Sequence, residues 1–112
     1  MERKKLILDY KDKKIAVNVK TASFFGGIRG LMFRKKSGNL LFSFERDSSM
    51  AIHSIFVFSP FLALWLDSRN RVLDFKIVRP FSLYVNTSRK YRKILEMPLS
   101  KENEEIIKCF YR

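Results

Sequence analysis

Short clusters of lysine and arginine are the residues of this sequence whose chemistry is easiest to interpret. Four clusters stand along the chain, and acidic residues rarely interrupt them. They are Arg3, Lys4 and Lys5; Lys11, Lys13 and Lys14; Arg34, Lys35 and Lys36; and Arg89, Lys90, Arg92 and Lys93. Cations presented by loops of a rigid scaffold suit the phosphates of a nucleic acid. Together the clusters predict a phosphate-binding surface, although any one of them alone is typical of a solvated face.

Aromatic residues near these cations suggest a second kind of contact. Tyr91 lies among the four cations of the last cluster, so it is a candidate to stack on a base or to bond a phosphate. The Phe-rich segments Phe24–Phe25, Phe42–Phe44 and Phe56–Phe58 resemble stacking platforms, but no RNA-recognition signature surrounds them. We therefore interpret the phenylalanines as core residues.

The overall charge supports a polyanionic partner. Lys and Arg number 23 and Asp and Glu 11, which gives a net charge of +12 on 112 residues. Self-repulsion at this level costs stability, and an anionic partner explains it. Hydrophobic residues make up 46% of the chain and aromatic residues 14%, which excludes a disordered basic tail. We expect a folded basic domain.

Catalytic and metal-binding patterns are missing from the sequence. The glycines of Gly26–Gly30 lack both the P-loop and the dinucleotide-binding spacing. His53 has no neighbouring metal ligands, and Cys109 has no histidine or cysteine partner. Asp67 and Asp74 are interpreted as turn and strand-edge residues. We predict no catalytic residue, no metal and no cofactor, and hence a protein that is not an enzyme.

Cysteine content and hydropathy bear on location. A lone cysteine cannot form an internal disulfide, and no signal peptide is recognisable. The longest apolar stretch, Ile55 to Leu66, is broken by Ser59-Pro60 and is shorter than the ~20 residues of a membrane span. We expect a cytoplasmic protein that does not enter membranes.

Short apolar runs with a period of two predict that these clusters stand on a β scaffold. Polar turns at Lys11–Lys14 and Asp67–Asn70 predict two hairpins. Thr21 is a candidate cap for a short helix reaching Leu31. The predicted strands are Leu6–Tyr10, Ile15–Val19, Leu40–Phe44, Ile52–Phe58, Phe61–Leu66, Arg71–Val78, Ser82–Val85 and Lys93–Met97.

The last twelve residues predict a C-terminal helix from Lys101 to about Tyr111. Ser100 is a good N-cap, and three glutamates follow it where the helix dipole favours anions. Ile106, Ile107 and Phe110 form an apolar stripe. We predict that this stripe packs on the β core.

Five blocks of the sequence, in their order and spacing, resemble a known family. They are Gly30-Leu31-Met32-Phe33-Arg34, Leu40-Leu41-Phe42-Ser43-Phe44, Ile52-His53-Ser54-Ile55-Phe56-Val57 with Pro60, Trp65-Leu66-Asp67 with Arg71-Val72, and Leu95-Glu96-Met97-Pro98. The family is domain of unknown function 192, in particular its compact archaeal-type members, and the resemblance covers roughly Val17 to Pro98. It implies a mostly β, barrel-like sandwich and no established activity.

Two departures from the family pattern bear on function. Leu62 stands where the family usually has an acidic residue two positions after the proline. The Gly-rich, often acidic C-terminal segment of the family is replaced by the predicted helix. If that acidic position serves a family-wide site, the site is lost here, which fits recruitment to a new role.

The sequence therefore predicts one domain over residues 1–112, a small barrel-like β sandwich with a family-like core at about 17–98, one short helix near 21–31 and a C-terminal helix at about 101–111. Its predicted function is non-enzymatic RNA binding through loop cations, with ribosomal RNA in a ribonucleoprotein as a candidate partner. The alternatives are a small-ligand or carbohydrate-binding β module, an unrecognised enzyme, and a basic face that binds an acidic protein.

Overall fold

The computed structural model describes residues 3–22, 38–48, 60–79, 87 and 89–111. These ranges contain six strands, a 3₁₀-helix and a short α-helix, so the mostly β prediction is confirmed. The strands are β1 (Arg3–Tyr10), β2 (Lys13–Ala22), β3 (Leu40–Ser48), β4 (Phe61–Leu66), β5 (Val72–Val78) and β6 (Tyr91–Pro98). The 3₁₀-helix spans Lys101–Asn103, and the α-helix, α1, spans Glu104–Ile107.

The six strands form one curled half-barrel sheet in the order β1-β2-β3-β6-β4-β5. Strands β2 and β3 pair in parallel over Lys20, Thr21 and Ala22, and the other neighbours are antiparallel. The curl brings the edge strands β1 and β5 toward each other, where the Asp9 amide donates to the Asn70 carbonyl oxygen at 3.0 Å. The sheet therefore nearly closes on itself.

Both faces of the half-barrel carry buried apolar side chains. Strand β4 is buried along its whole length, which explains its uninterrupted apolar sequence. The inner-face cluster is Leu6, Leu8, Val17, Val19, Leu41, Leu62, Leu64, Leu66, Leu95 and Met97. The outer-face cluster is Phe61, Ala63, Trp65, Val78, Tyr91 and Ile94. Leu62, at the position where the family is usually acidic, is thus a core residue.

A two-residue turn connects β1 to β2. Lys11 has φ 47° and Asp12 has φ 64°, so both central residues adopt the left-handed conformation that two-residue hairpins of type I′ require. The predicted hairpin is confirmed. Because the turn has two residues, Tyr10 pairs with Lys13. Each step back along β1 is then matched by one step forward along β2, until Arg3 pairs with Lys20.

The C-terminal segment covers the gap beside the inner core. Ile106, Ile107 and Phe110 pack against the inner-face cluster, as predicted. The Phe110 ring lies 4.6 Å from the Tyr10 ring and 5.1 Å from the Phe75 ring, between centroids. The segment thus joins the two edge strands of the sheet through aromatic contacts.

This helix differs from its prediction in length and in capping. It consists of one 3₁₀ turn and one α turn in place of a continuous helix to Tyr111. Ser100 precedes it, but its side chain makes no capping bond, and its carbonyl oxygen accepts the Asn103 amide instead. Pro98 still pairs with β4, so the 3₁₀-helix begins only three residues later, at Lys101, and hydrogen-bonded turns continue to Tyr111 after α1.

Two other predictions need correction, and three concern residues that lie outside the described ranges. Thr21 and Ala22 lie in β2, so a helix that begins at Thr21 is wrong for these two residues. Tyr91 and Arg92 begin strand β6, and the predicted loop there is shorter than expected. The remainder of the predicted helix at 23–31, and the predicted strands at 52–58 and 82–85, lie outside the described residues. In the described part of the chain, no helix has the length and apolarity to cross a membrane.

Candidate nucleic-acid interface

A groove of about 730 Å³ lies between the β1–β2 hairpin and the chain segments around Asn39 and Ser100. Four cationic residues and one acidic residue line it. They are Arg3, Lys4, Lys5, Lys20 and Glu102. The groove is therefore a concave basic surface, built from the first basic cluster of the sequence and from one lysine outside every cluster.

The register of the hairpin sets the spacing of the groove cations. Arg3 lies directly opposite Lys20, and Lys5 lies opposite Asn18. Arg3 and Lys5 are two residues apart and share a face, so their Cα atoms are separated by about 7 Å along the strand. Three cations thus stand side by side on two neighbouring strands.

These cations have no acidic partner among the described residues. Ion pairs there join Lys14 to Asp9, Arg71 to Asp67, and Lys108 to two glutamates, and none involves Arg3, Lys5 or Lys20. Like charges directly opposite each other on an antiparallel pair destabilise it. An anion between Arg3 and Lys20 would remove this repulsion.

A chain of asparagine hydrogen bonds holds the opposite wall of the groove. The Asn39 Nδ2 donates to the Asn18 carbonyl oxygen at 3.0 Å, and the Asn103 Nδ2 donates to the Asn39 Oδ1 at 2.9 Å. Asn103 also donates to the Pro98 carbonyl oxygen at 2.8 Å, and it is 5% exposed. The hydrogen bonds of these side-chain amides thus tie the C-terminal segment to the strand that carries Lys20.

The second predicted cluster lies at the far end of the hairpin. Lys14 is six residues from Lys20 along β2, or about 20 Å, and its Nζ pairs with the Asp9 Oδ2 at 2.8 Å. The Lys11 Nζ lies 5.4 Å from the centre of the Tyr10 ring. Lys13 is exposed. This cluster is separate from the groove.

The third predicted cluster, Arg34, Lys35 and Lys36, lies outside the described residues. The fourth is divided by β6. Arg89 and Lys90 precede the strand and are exposed. The Arg92 Nε donates to the Phe44 carbonyl oxygen at 2.9 Å, and the Lys93 Nζ donates to the Asn70 Oδ1 at 2.6 Å. Arg92 and Lys93 therefore have structural contacts of their own.

Tyr91 has no free ring face in this structure. It is 1% exposed and packs edge-on against Phe44, with ring centroids 5.6 Å apart. Its place in the outer-face core removes it from the candidate stacking residues. Tyr91 and the buried Ile94 both belong to the outer cluster although they are three residues apart, and the pairing of β3 with β6 shifts register at this point, between Ser43 and Ser48.

Lys93 lies in an unfavourable place for a cation. Partial burial lowers the pKa of its ammonium group, and nearby Lys4 lowers it further, against the opposing charge of Asp67 and with a smaller contribution from Arg92. The hydrogen bond to Asn70 holds the group in place. The charge of Lys4, which helps to line the groove, thus reaches Lys93, which does not line it.

Sequence reasoning missed Lys20 and the three asparagines. Lys20 stands alone in the sequence and so forms no cluster. The signal that would have found it is the two-residue turn, because counting outward from Lys11 and Asp12 places it opposite Arg3. The asparagine contacts span 21 and 64 residues of sequence, and no local pattern reveals them.

The comparisons with known proteins identify the family. The family model described as an uncharacterised ancient conserved region, domain of unknown function 192 (DUF192), matches residues 6–108. A UPF0127 protein of Thermococcus kodakarensis is 33% identical over 98 residues, which cover 84% of this chain and 62% of the relative. A UPF0127 protein of Pyrococcus furiosus is 31% identical over 91 residues, covering 79% of this chain and 78% of the relative. The chain thus spans less than two thirds of the length of the Thermococcus relative.

A solved structure supports the fold. A protein of unknown function from Novosphingobium aromaticivorans matches 93% of this chain and 78% of its own, with a TM-score of 0.75 and 13% identity. At that identity the likeness concerns the fold alone. The family match and the archaeal relatives are sufficient for assignment: the chain belongs to the DUF192 family.

Proposed function

We propose that this member of the DUF192 family is a non-enzymatic RNA-binding protein whose groove holds phosphates along Arg3, Lys5 and Lys20. The observation that carries the proposal is the Arg3–Lys20 pair, two cations held face to face without an acid among the described residues. A pair of this kind costs stability in the free protein. A phosphate between the two side chains converts the repulsion into two charge-assisted hydrogen bonds.

The spacing of the three cations supports a chain of phosphates in preference to one isolated anion. Arg3 and Lys5 follow each other along one strand at about 7 Å, close to the separation of successive phosphates in an extended nucleic-acid strand. Lys20 adds a third cation on the neighbouring strand, directly opposite Arg3. The net charge of +12 adds long-range attraction for the same partner.

Binding of a single-stranded RNA twelve-mer, measured by fluorescence anisotropy, tests the proposal. We expect Lys20→Gln to weaken binding several-fold, because the variant removes one phosphate contact. Arg69→Gln is the matched control, since Arg69 is exposed at the opposite end of the sheet and donates through its backbone amide. Equal affinities of the two variants would show that general charge, and not the groove, attracts the RNA.

The same titration separates the other functional classes. A small-ligand or carbohydrate module would leave the RNA unbound. The cellular setting is tested by sedimentation of a native extract: association with a ribonucleoprotein such as the ribosome predicts co-sedimentation at low salt and release at high salt.

A further inference from the structure

We infer that the groove selects single-stranded RNA over DNA, and that Glu102 does so by accepting a hydrogen bond from a ribose 2′-hydroxyl. The inference rests on the proposed function, because it names the feature of the polynucleotide that the same groove distinguishes. It begins from a carboxylate in a basic groove. Such a group repels phosphate, so a polynucleotide in this groove would meet it with an atom of a different kind, one that donates a hydrogen bond.

Glu102 has no competing partner among the described residues. It is exposed on the 3₁₀-helix and lines the groove. Glu104 and Glu105, its neighbours on α1, both lie within 4 Å of the Lys108 Nζ, at 3.8 and 3.6 Å. Glu102 has no such ion pair and is available to a ligand.

The asparagine wall offers an acceptor as well. Asn39 uses its Nδ2 on the Asn18 carbonyl, which turns its Oδ1 toward Asn103. The Asn103 Nδ2 donates hydrogen bonds to both the Asn39 Oδ1 and the Pro98 carbonyl oxygen. The remaining polar atom of Asn103 is therefore its Oδ1, an acceptor. This orientation is fixed by the chain of donors.

A wall of acceptors faces a row of cations, and each meets a different part of a nucleotide. Phosphate oxygens accept hydrogen bonds and match the cations. Glu102 and the Asn103 Oδ1 need a donor, and a ribose 2′-hydroxyl supplies one. Carboxylates bind ribose hydroxyls in the same way in dinucleotide-binding sites. Deoxyribose has no such donor.

The dimensions of the groove favour one strand. Its volume of about 730 Å³ lies within the range of sites for single small ligands. Double-stranded RNA is recognised across a much wider surface, about 16 base pairs with two successive minor grooves. A short extended stretch of one strand fits, with its phosphates on Arg3, Lys5 and Lys20 and its sugars toward Glu102.

The test compares two oligonucleotides that differ in the 2′-hydroxyl alone, a twelve-mer of uridine and the same length of deoxyuridine. Both oligonucleotides carry the same base, so a donor that uracil supplies, its N3–H, is common to both and cannot cause a difference between them. By anisotropy at one fixed salt concentration, we expect the native protein to bind the RNA about five- to tenfold more tightly. Glu102→Ala should reduce that ratio to below about twofold, because the acceptor is gone.

Glu105→Ala is the matched control, since it removes the same charge from an exposed residue outside the groove lining. It should leave the RNA-to-DNA ratio unchanged. Equal binding of both oligonucleotides by the native protein, or an unchanged ratio in Glu102→Ala, would overturn the inference while leaving phosphate binding intact. Binding of neither oligonucleotide would overturn the proposed function and the inference together.

Discussion

Arg3 and Lys20 face each other across the β1–β2 hairpin, and neither forms an ion pair with an acid of the described residues. Their positions follow from a two-residue turn that begins eight residues after Arg3, so the pair is set by the backbone register and not by side-chain packing. Two cations directly opposite each other repel and so destabilise the hairpin at that position. We propose that the two cations are kept at these positions, despite the lower stability, because together they bind a phosphate.

Charge reversal at Lys20 should therefore move stability and binding in opposite directions. Lys20→Glu turns the repulsive pair into an attractive one, and we expect the free energy of unfolding to rise by about 0.2–1 kcal/mol. RNA affinity should fall by more than in Lys20→Gln, since a carboxylate repels phosphate. Urea unfolding and anisotropy measure the two effects. A variant that loses both stability and affinity would show that Lys20 supports the fold directly.

The stability of the protein should depend on the Asn103 Nδ2 as a hydrogen-bond donor. Asn103→Asp keeps the shape but cannot donate to the Asn39 Oδ1 or the Pro98 carbonyl oxygen while it is ionised. We expect a loss of about 1–3 kcal/mol at pH 7, because a buried charge would face two oxygen atoms. Protonation restores a donor, so part of the loss should return as the pH falls toward 4. A pH-independent loss would contradict this explanation.

The hairpin could be predicted from sequence, whereas the groove could not, and the register was missed because the predicted connection Lys11–Lys14 has four residues and the turn has two. The polar turn and the alternating apolar residues locate β1 and β2, and the turn length fixes the pairing. The second wall depends on Asn39 and Asn103, which are 64 residues apart and meet through the path of the whole sheet. The family resemblance gives the fold that brings them together, but none of its blocks contains either asparagine.

Phe110 tests the role of the C-terminal segment in stability. Phe110→Ala removes ring contacts to Tyr10 and Phe75 at opposite edges of the sheet. Because Phe110 is partly buried, we expect a loss of about 1–2 kcal/mol, at the lower end of full aromatic burial. Thermal and urea unfolding provide the measurement. Tyr111→Ala, which keeps the Phe110 contacts and removes a more exposed ring, should cost less.

Asp67 should contribute to stability in acid. Partial burial raises the pKa of its carboxyl, but hydrogen bonds from the Arg71 amide and side chain and from the Arg69 amide outweigh it and leave the pKa below its ordinary value. The stabilisation is therefore complete above the unfolded pKa of about 3.9, and it is lost as the pH falls through the lower folded value.

Replacement of Asp67 tests this dependence. In Asp67→Asn, the free energy of unfolding should decline less between pH 5 and pH 2 than in the native protein. Glu105→Gln, at a carboxylate that is 89% exposed, serves as the control and should follow the native curve. An Asp67→Asn curve parallel to the native one would mean that the turn does not depend on the charge.

The fourth basic cluster shows how composition misleads about a site. Five consecutive residues, Arg89 to Lys93, suggested a loop that presents four cations around an aromatic ring. In the structure β6 begins at Tyr91, whose ring is buried, and Arg92 and Lys93 donate hydrogen bonds to the Phe44 carbonyl oxygen and the Asn70 Oδ1. Replacement of all four cations by serine should consequently lower stability as well as charge.

The salt dependence of RNA binding tests the central claim most directly. If Arg3, Lys5 and Lys20 each neutralise one phosphate of a single strand, the logarithm of the binding constant should fall linearly with the logarithm of salt concentration, with these three contacts contributing about 2 to the slope. The variant Arg3→Gln/Lys5→Gln/Lys20→Gln should have a slope smaller by that amount, while Arg69→Gln should keep the native slope. An unchanged slope in the triple variant, or native binding that does not respond to salt, would contradict the account.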